Sequence, residues 1–311
     1  MRKSIYVALL AVLAGPAGAQ TPVQTADPFK RALTQADFPR LKQIEPNVYT
    51  YEALRPSEPD GFKTTVDLIV VTDGGVLVAD GQGNEQAGRD LVAAISRITS
   101  QPIKYVVICS EHGDHTGGNA AFKAAFPEVV FLSSPASQKA LAKNANPPTE
   151  TVADKRTITL GKTAVDVLNL GRSHTGGDLA VHLPGAKVLF LSETYVHHLF
   201  PSMRSAYPSE WQATLKKAQS IDATWYIAGH GFVDDAPTMK AELRAYAQAL
   251  DHIIGEAKRL HAAKAPCLTP TDCEAAKQAN WGPYADWTER QVQAPMAILK
   301  VYQELDGKLP K

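Results

Sequence analysis

Four apolar runs in this chain end in a short loop that carries an imidazole or a carboxylate, and in most of them glycine shapes the loop. They are "YVVICSEHGDHTGGN" (105–119), "LNLGRSHTGGD" (168–178), "VLFLSETYV" (188–196) and "TWYIAGHGFV" (224–233). Runs rich in Val, Ile and Leu read as buried strands, and glycines bend the chain tightly where each run stops. Ligand-type side chains at four strand ends are useful only if those ends meet. The pattern therefore points to a layered α/β architecture.

The rest of the chain is consistent with such layers. "VYTYEAL" and "TVDLIVVTDGGVLVADG" read as strands, the second folded into a hairpin at Asp73-Gly74-Gly75, and "EQAGRDLVAAISRI" has helical spacing. "NAAFKAAF" reads as a short helix, and "RTITLGKTAVDVLNLG" and "DLAVHLPGAKVLFLS" as strands turning at Gly161-Lys162 and Pro184-Gly185. "SEWQATLKKAQSI" and the run Met239–His261, with Met239, Leu243, Tyr246, Leu250, Ile253 and Ile254 on one face, read as amphipathic helices. With 311 residues, 44% of them hydrophobic, the chain can bury a large core. Its 32 basic residues balance 32 acidic ones, so no overall field draws it to nucleic acid or an anionic membrane.

The first residues read as an address. Arg2 and Lys3 precede the apolar run "SIYVALLAVLAG", and Ala17-Gly18-Ala19 offers a small-residue cleavage site. Residues 1–19 are thus expected to be a signal peptide, the alternative being an uncleaved anchor. The mature chain would be periplasmic or secreted, with no stable membrane insertion. Residues 20–46 read as a polar lead, 47–262 as the main domain and 263–311 as a C-terminal helical segment. In that segment Cys267 and Cys273 are spaced for a local disulfide suited to an oxidising compartment. Cys109 ends an apolar run and reads as a small buried hydrophobe.

The chemistry concentrates at Ile108–Asn119. Ser110 and His112 share a face if the strand continues, while the turn at Gly113 aims Asp114 and His115 at a neighbouring point. His174, Glu193 and His230 follow on the later strand ends. Imidazoles and carboxylates are zinc ligands, and a catalytic zinc needs three of them with a position open to water.

The motif His112-x-Asp114-His115 with Thr116-Gly117-Gly118-Asn119, followed in order by "SHTGGD", "VLFLSE" and "AGHG", resembles the metallo-β-lactamase-fold superfamily over roughly 47–233. The resemblance implies an αββα sandwich, here with a C-terminal helical appendage, and metals at one edge between the two sheets. It implies that His112 and His174 serve a first metal and that Asp114, His115 and His230 serve a second. Glu193 stands where many members place a bridging aspartate, and Ser110 where the family has a histidine. A serine hydroxyl is a poor zinc ligand. One zinc is therefore expected to bind tightly at Asp114, His115 and His230. A second, weaker one requires Glu193, one methylene longer than aspartate, to reach across to His112 and His174. Glu111 is the other conceivable substitute, although strand alternation points it away.

The expected activity is metal-assisted hydrolysis of a small molecule at an ester, thioester, lactone, amide or phosphoester bond, with Asp114 and Glu193 as the catalytic carboxylates. A non-hydrolytic or weakly active binding protein on the same fold and a β-lactam hydrolase are the alternatives. Asp80 reads either as a partner that orients a ligating histidine or as a turn cap. His197 and His198 read as exposed loop histidines by default, with lining of the substrate pocket as the alternative, and His182, His252 and His261 as surface residues. Tyr207, Trp211, Trp281, Tyr284 and Trp287 read as packing aromatics.

Overall fold

The structure, a computed structural model, describes residues 25–57 and 61–310. The expected signal peptide at 1–19 lies outside the described residues. Among the described residues, no helix is long and apolar enough to cross a membrane.

Seven strands form the first sheet in sequential order: β1 (Arg40–Glu45), β2 (Val48–Ser57), β3 (Gly61–Thr72), β4 (Gly75–Ala79), β5 (Ile103–Val107), β6 (Val130–Ser133) and β7 (Glu150–Thr151). The second sheet holds β8 (Lys155–Leu160), β9 (Thr163–Leu168), β10 (Ala180–Leu183), β11 (Val188–Phe190) and β12 (Trp225–Ile227), in the order 12-11-10-9-8. The helices are α1 (Glu85–Ile98), α2 (Gly113–Thr116), α3 (Asn119–Ala125), α4 (Pro135–Ala140), α5 (Pro208–Ser220), α6 (Ala236–Ala262), α7 (Glu274–Gln278) and α8 (Arg290–Leu305). Each sheet begins antiparallel and turns parallel where a helical crossover intervenes, at β4–β5 and at β11–β12.

Strand alternation explains the layering. In β4, Leu77 and Ala79 enter the core between the sheets, while Val76 and Val78 enter the core under α1 and α3. In the second sheet Val188 and Phe190 face inward, and Leu189 and Leu191 face the core shared with α5, α6 and α8. Successive side chains point to opposite faces, so both faces of each central strand are apolar and both must be covered. The result is the expected αββα sandwich.

Two segments integrate more closely than their sequences suggest. Within the lead expected to run to Pro46, Arg40–Glu45 forms β1, paired antiparallel with β2. "RLKQIE" is an edge strand with no fully buried residue, so it lacks the apolar run that marks a central strand. At the other end α8 packs along α6, and Ala294, Ala297, Ile298 and Val301 join Leu250, Ile253 and Ile254 in one buried cluster. A disulfide joins Cys267 to Cys273. The C-terminal segment thereby closes the outer face of the second sheet's helical layer.

Candidate metal centre

Local chain geometry delivers the first group of ligands. β5 stops at Val107, and the amide of Cys109 donates to the buried Asp80 carboxylate at 2.9 Å. The chain then turns into the one-turn helix α2, which carries Asp114 and His115 on consecutive residues. Gly118 makes this turn possible: a Cβ there would lie 2.0 Å from the Gly81 carbonyl oxygen, so only glycine allows the loop after β4 to close against α2. Asp80, Gln82 and Ser192 hold left-handed φ values of 67°, 67° and 47°. Such strain persists only where surrounding contacts over-determine it, as around functional loops.

The structure brings all six expected ligands together, in two groups that share Glu193. In the first, His112 Nδ1 lies 2.8 Å from Glu193 Oε2, and His174 Nε2 lies 3.2 Å from Glu193 Oε1 and 3.2 Å from His112 Nδ1. In the second, His230 Nε2 stands 3.4 Å from Glu193 Oε1, 3.2 Å from Asp114 Oδ2 and 3.2 Å from His115 Nε2. The ligand atoms of each group lie within 4.8 Å of one another. Glu193, buried in a short 3-10 turn after β11 (Ser192–Thr194), thus reaches both groups and gives the first its third donor.

Hydrogen bonding on the far side of the His115 and His230 rings fits a cation. His115 Nδ1 faces Asp80 Oδ2 at 2.8 Å, and His230 Nδ1 faces the Thr64 carbonyl at 2.6 Å. With those nitrogens donating, two Nε2 lone pairs confront each other at 3.2 Å, an arrangement that needs a proton or a metal between them. Charge agrees with this geometry. Burial opposes a charge on His115, but Asp80, Asp114 and Glu193 outweigh it and push the imidazole up to about 10. Burial likewise works against the Glu193 carboxylate, yet His174 and His115 hold it well below its usual range. The carboxylates of this cluster thus call for positive charge from protons or a bound cation.

Ser110 is fully buried, and its hydroxyl donates to Glu193 Oε2 at 2.5 Å. The serine therefore fixes the carboxylate that the two groups share. Ser110→Ala should cost about 1.5–3 kcal/mol of metal binding, the scale of a hydrogen bond to a charged group, or roughly 10- to 100-fold in affinity by chelator competition. An unchanged affinity would count against this role. Glu111 points elsewhere, accepting from the Ser137 and Thr175 hydroxyls at 2.6 and 3.2 Å.

Asp80 is a positioning residue: its carboxylate meets the Cys109 amide, the His115 ring and the Ser192 hydroxyl. Cys109 lies in the core between the sheets, and burial raises its thiol well above the ordinary value. Trp211 is fully buried, with its indole edge-on to His174 at 5.4 Å and its N–H on the Thr194 carbonyl. Tyr207 carries the Arg172 guanidinium 4.0 Å above its ring, and Trp287 stacks on Tyr246.

The expectation for His197 and His198 is corrected. His197 is fully buried and His198 largely so, and neither lines the cavity, because the loop after Glu193 dives beneath His230 to pack on α6 and Trp287. His182 is half-buried in β10 rather than on the surface.

Above the two groups lies a cavity of about 370 Å³. His112, Asp114, His174, Glu193 and His230 form its floor, Val196, Leu199 and Phe200 one wall, and Val292, Gln293 and Met296 of α8 another. Sequence reading missed its cations. Arg55 on β2 pairs with Asp114, Lys63 on β3 with Glu289, and Arg204 stands exposed at the wall. No local motif marks these residues, since each reaches the cavity only through tertiary packing.

Asp67 on β3 sits behind the centre, its carboxylate accepting from the Gln82 amide. Burial, against the opposing Gln82 bond, pushes it from 3.8 up to about 8. Folded protein then retains a proton that the unfolded chain has released. Stability contributed at low pH is therefore lost as pH rises from about 4 toward about 8. Asp67→Asn should flatten that decline by on the order of 2 kcal/mol in denaturant unfolding at pH about 5 and about 8. An unaltered pH slope would refute it.

A double-sheet sandwich with a histidine and carboxylate centre at its edge is the architecture of the metallo-β-lactamase fold. The family model described as the metallo-beta-lactamase superfamily matches residues 61–230, and the chain belongs to that superfamily. It is 24% identical over 205 residues to a metallo-beta-lactamase type 2 of Bacillus sp. (strain 170), covering 63% of this chain and 77% of that one. It is 27% identical over 165 residues to a hydroxyacylglutathione hydrolase of Mesorhizobium japonicum, covering 51% of this chain and 62% of that relative. Among solved structures, a metallo-beta-lactamase from Pontibacter korlensis superposes with a TM-score of 0.60 at 21% identity, covering 67% of this chain and 98% of that one. The metallo-beta-lactamase FIM-1 from Pseudomonas aeruginosa, in a mono-zinc form, gives 0.59 at 16%, with 68% and 96% covered. These structural likenesses establish the fold.

Proposed function

We propose that the protein is an exported zinc-dependent hydrolase that cleaves an ester, thioester, lactone, amide or phosphoester bond of a small molecule in the cavity above Glu193. The observation that carries this reading is the pair of ligand groups sharing Glu193, with imidazole lone pairs facing one another at a cavity floor. Asp114, His115, His230 and Glu193 would hold one zinc and His112, His174 and Glu193 another, which when bound would supply Lewis acidity and lower the pKa of water toward neutrality.

The chain's own residues do the rest. His115 and His230 hold Asp114 ionised against the pull of burial, and Arg55 pairs with its Oδ2 at the cavity floor, so the charged carboxylate orients an attacking water by accepting its hydrogen bond. Glu193, fixed by Ser110 Oγ, keeps the two groups in register. Val196, Leu199 and Phe200 exclude water from the apolar part of a substrate, and Arg204 offers a charge for an anionic one. Export is supported by the leader-like N-terminal sequence and by the Cys267–Cys273 disulfide.

β-Lactam hydrolysis is the second reading, favoured by the relative from Bacillus sp. (strain 170), and thioester cleavage is in keeping with the hydroxyacylglutathione hydrolase. The test is zinc analysis of protein purified without chelator, paired with a panel covering all five bond classes and β-lactams. Zinc-dependent turnover of one class is expected. A zinc-loaded protein inert across the panel that binds one small metabolite tightly would replace the hydrolase by a binding protein.

A further inference from the structure

A second cluster of metal-ligand side chains lies beneath the cavity: His197 and His198, after the Glu193 turn, and Glu242 on α6. Their ligand atoms fall within 4.8 Å of one another. His198 Nε2 is 2.7 Å from Glu242 Oε2, and His197 Nε2 is 3.9 Å from the same oxygen. Glu242 is 5% exposed and His197 not at all.

The hydrogen bonds around these groups do not complete them. His197 Nδ1 lies 2.7 Å from the Phe232 carbonyl and 3.4 Å from the Phe232 amide; with Nδ1 donating across the shorter contact, Nε2 presents a lone pair toward Glu242 Oε2 and Asp234 Oδ2, each 3.9 Å away. Neither His197 Nε2 nor His198 Nε2 has a hydrogen-bond partner of acceptable geometry. No lysine or arginine of the described residues lies within ion-pair reach of Glu242, and the neighbouring Asp234 is held by Arg31 through two 2.9 Å contacts. A buried carboxylate facing a lone pair without a cation is costly.

We propose that His197, His198 and Glu242 form an additional zinc site, separate from the centre at Glu193 and structural in role. Two imidazoles and a carboxylate are a donor set that zinc accepts, with water as the fourth ligand. Tetrahedral ligands about 2.0–2.2 Å from zinc stand roughly 3.3–3.5 Å apart, so the separations of 2.7 and 3.9 Å adjust by about half an ångström. The Nδ1 contact of His197 to a carbonyl repeats the arrangement of His230 on Thr64, a usual support for a ligating imidazole. His198 keeps 14% of its side chain exposed, which gives the ion an entry path.

The position gives the site its role. The His197 amide donates to the His230 carbonyl at 2.9 Å, and a Cβ on Gly231, at φ +93°, would sit 2.5 Å from the His197 carbonyl oxygen. The His198 ring packs on Trp287 at 5.2 Å, and the next residue, Leu199, bridges to Thr288. A metal here ties the His230 loop, α6 and the C-terminal segment together without touching the substrate cavity.

The test counts zinc by native mass spectrometry on full-length protein titrated to saturation, comparing wild type with Glu242→Gln and His198→Asn. Each variant should lose one equivalent while retaining those of the Glu193 centre. Zinc should also raise the thermal midpoint of wild type more than that of Glu242→Gln. Equal equivalents in all three proteins would overturn the proposal and leave a plain His198–Glu242 contact. Anomalous scattering at the zinc edge from wild-type crystals gives a reading that needs no variant: a peak between His197, His198 and Glu242 is expected, and its absence in zinc-soaked crystals would also overturn it.

Discussion

Glu193→Gln should empty both ligand groups at once, weakening zinc retention by more than the roughly 10- to 100-fold that changes outside the ligand set cost, and turnover should fall with it. One carboxylate serves four imidazoles: Oε2 lies 2.8 Å from His112, and Oε1 lies 3.2, 3.4 and 3.8 Å from His174, His230 and His115. Glutamine preserves the shape but removes the charge, and it turns an amide N–H₂ toward nitrogens that need a cation. Glu111→Gln is the matched control, because that side chain is engaged by Ser137 and Thr175 outside the two groups. Zinc affinity by chelator competition at fixed pH decides the matter. Retention of both ions in Glu193→Gln would show that the groups do not depend on a shared carboxylate.

Trp211→Ala should destabilise the metal-free protein by about 3–5 kcal/mol, the cost of deleting a large buried aromatic. Trp211 is fully buried, with its indole edge-on to His174 and tilted 6.1 Å from Tyr246. His174 Nδ1 has no hydrogen-bond partner, so packing rather than bonding holds that ring in register with Glu193. The same change should therefore loosen zinc at the His112/His174 group more than at the Asp114/His115/His230 group. Denaturant unfolding of chelated protein reads the first effect and stepwise zinc titration the second. Trp211→Phe, which keeps most of the volume but loses the bond to Thr194, should lie between. An alanine variant that unfolds like wild type would mean that the helical layer collapses freely into the space.

The six candidate ligand positions were legible as strand-end residues because each depends on a short stretch. A strand end and a glycine turn suffice to project His112, Asp114 and His115, and the same format recurs at His174, Glu193 and His230. The layers were legible for a similar reason: runs such as Val76–Ala79, apolar at every residue, must be covered on both faces. β1 was harder to see, since a half-exposed edge strand has no periodic apolar signature. His197 and His198 misled because "YVHHLFP" looks like a polar loop, whereas burial there is imposed by α6 and Trp287, which lie far along the chain.

Periodicity, turn chemistry and ligand spacing act over a few residues, and they determined a layered α/β chain with imidazoles and carboxylates at its strand ends, while the sandwich and its edge were what the resemblance to the superfamily implied. Other features depend on which distant segments meet. The serine hydroxyl of Ser110 came to serve a carboxylate 83 residues away, Arg55 to pair with Asp114, α8 to wall the cavity and Glu242 to face two histidines. Those meetings follow from how two sheets and their helices close on one another, and long-range packing leaves no local pattern from which to read them.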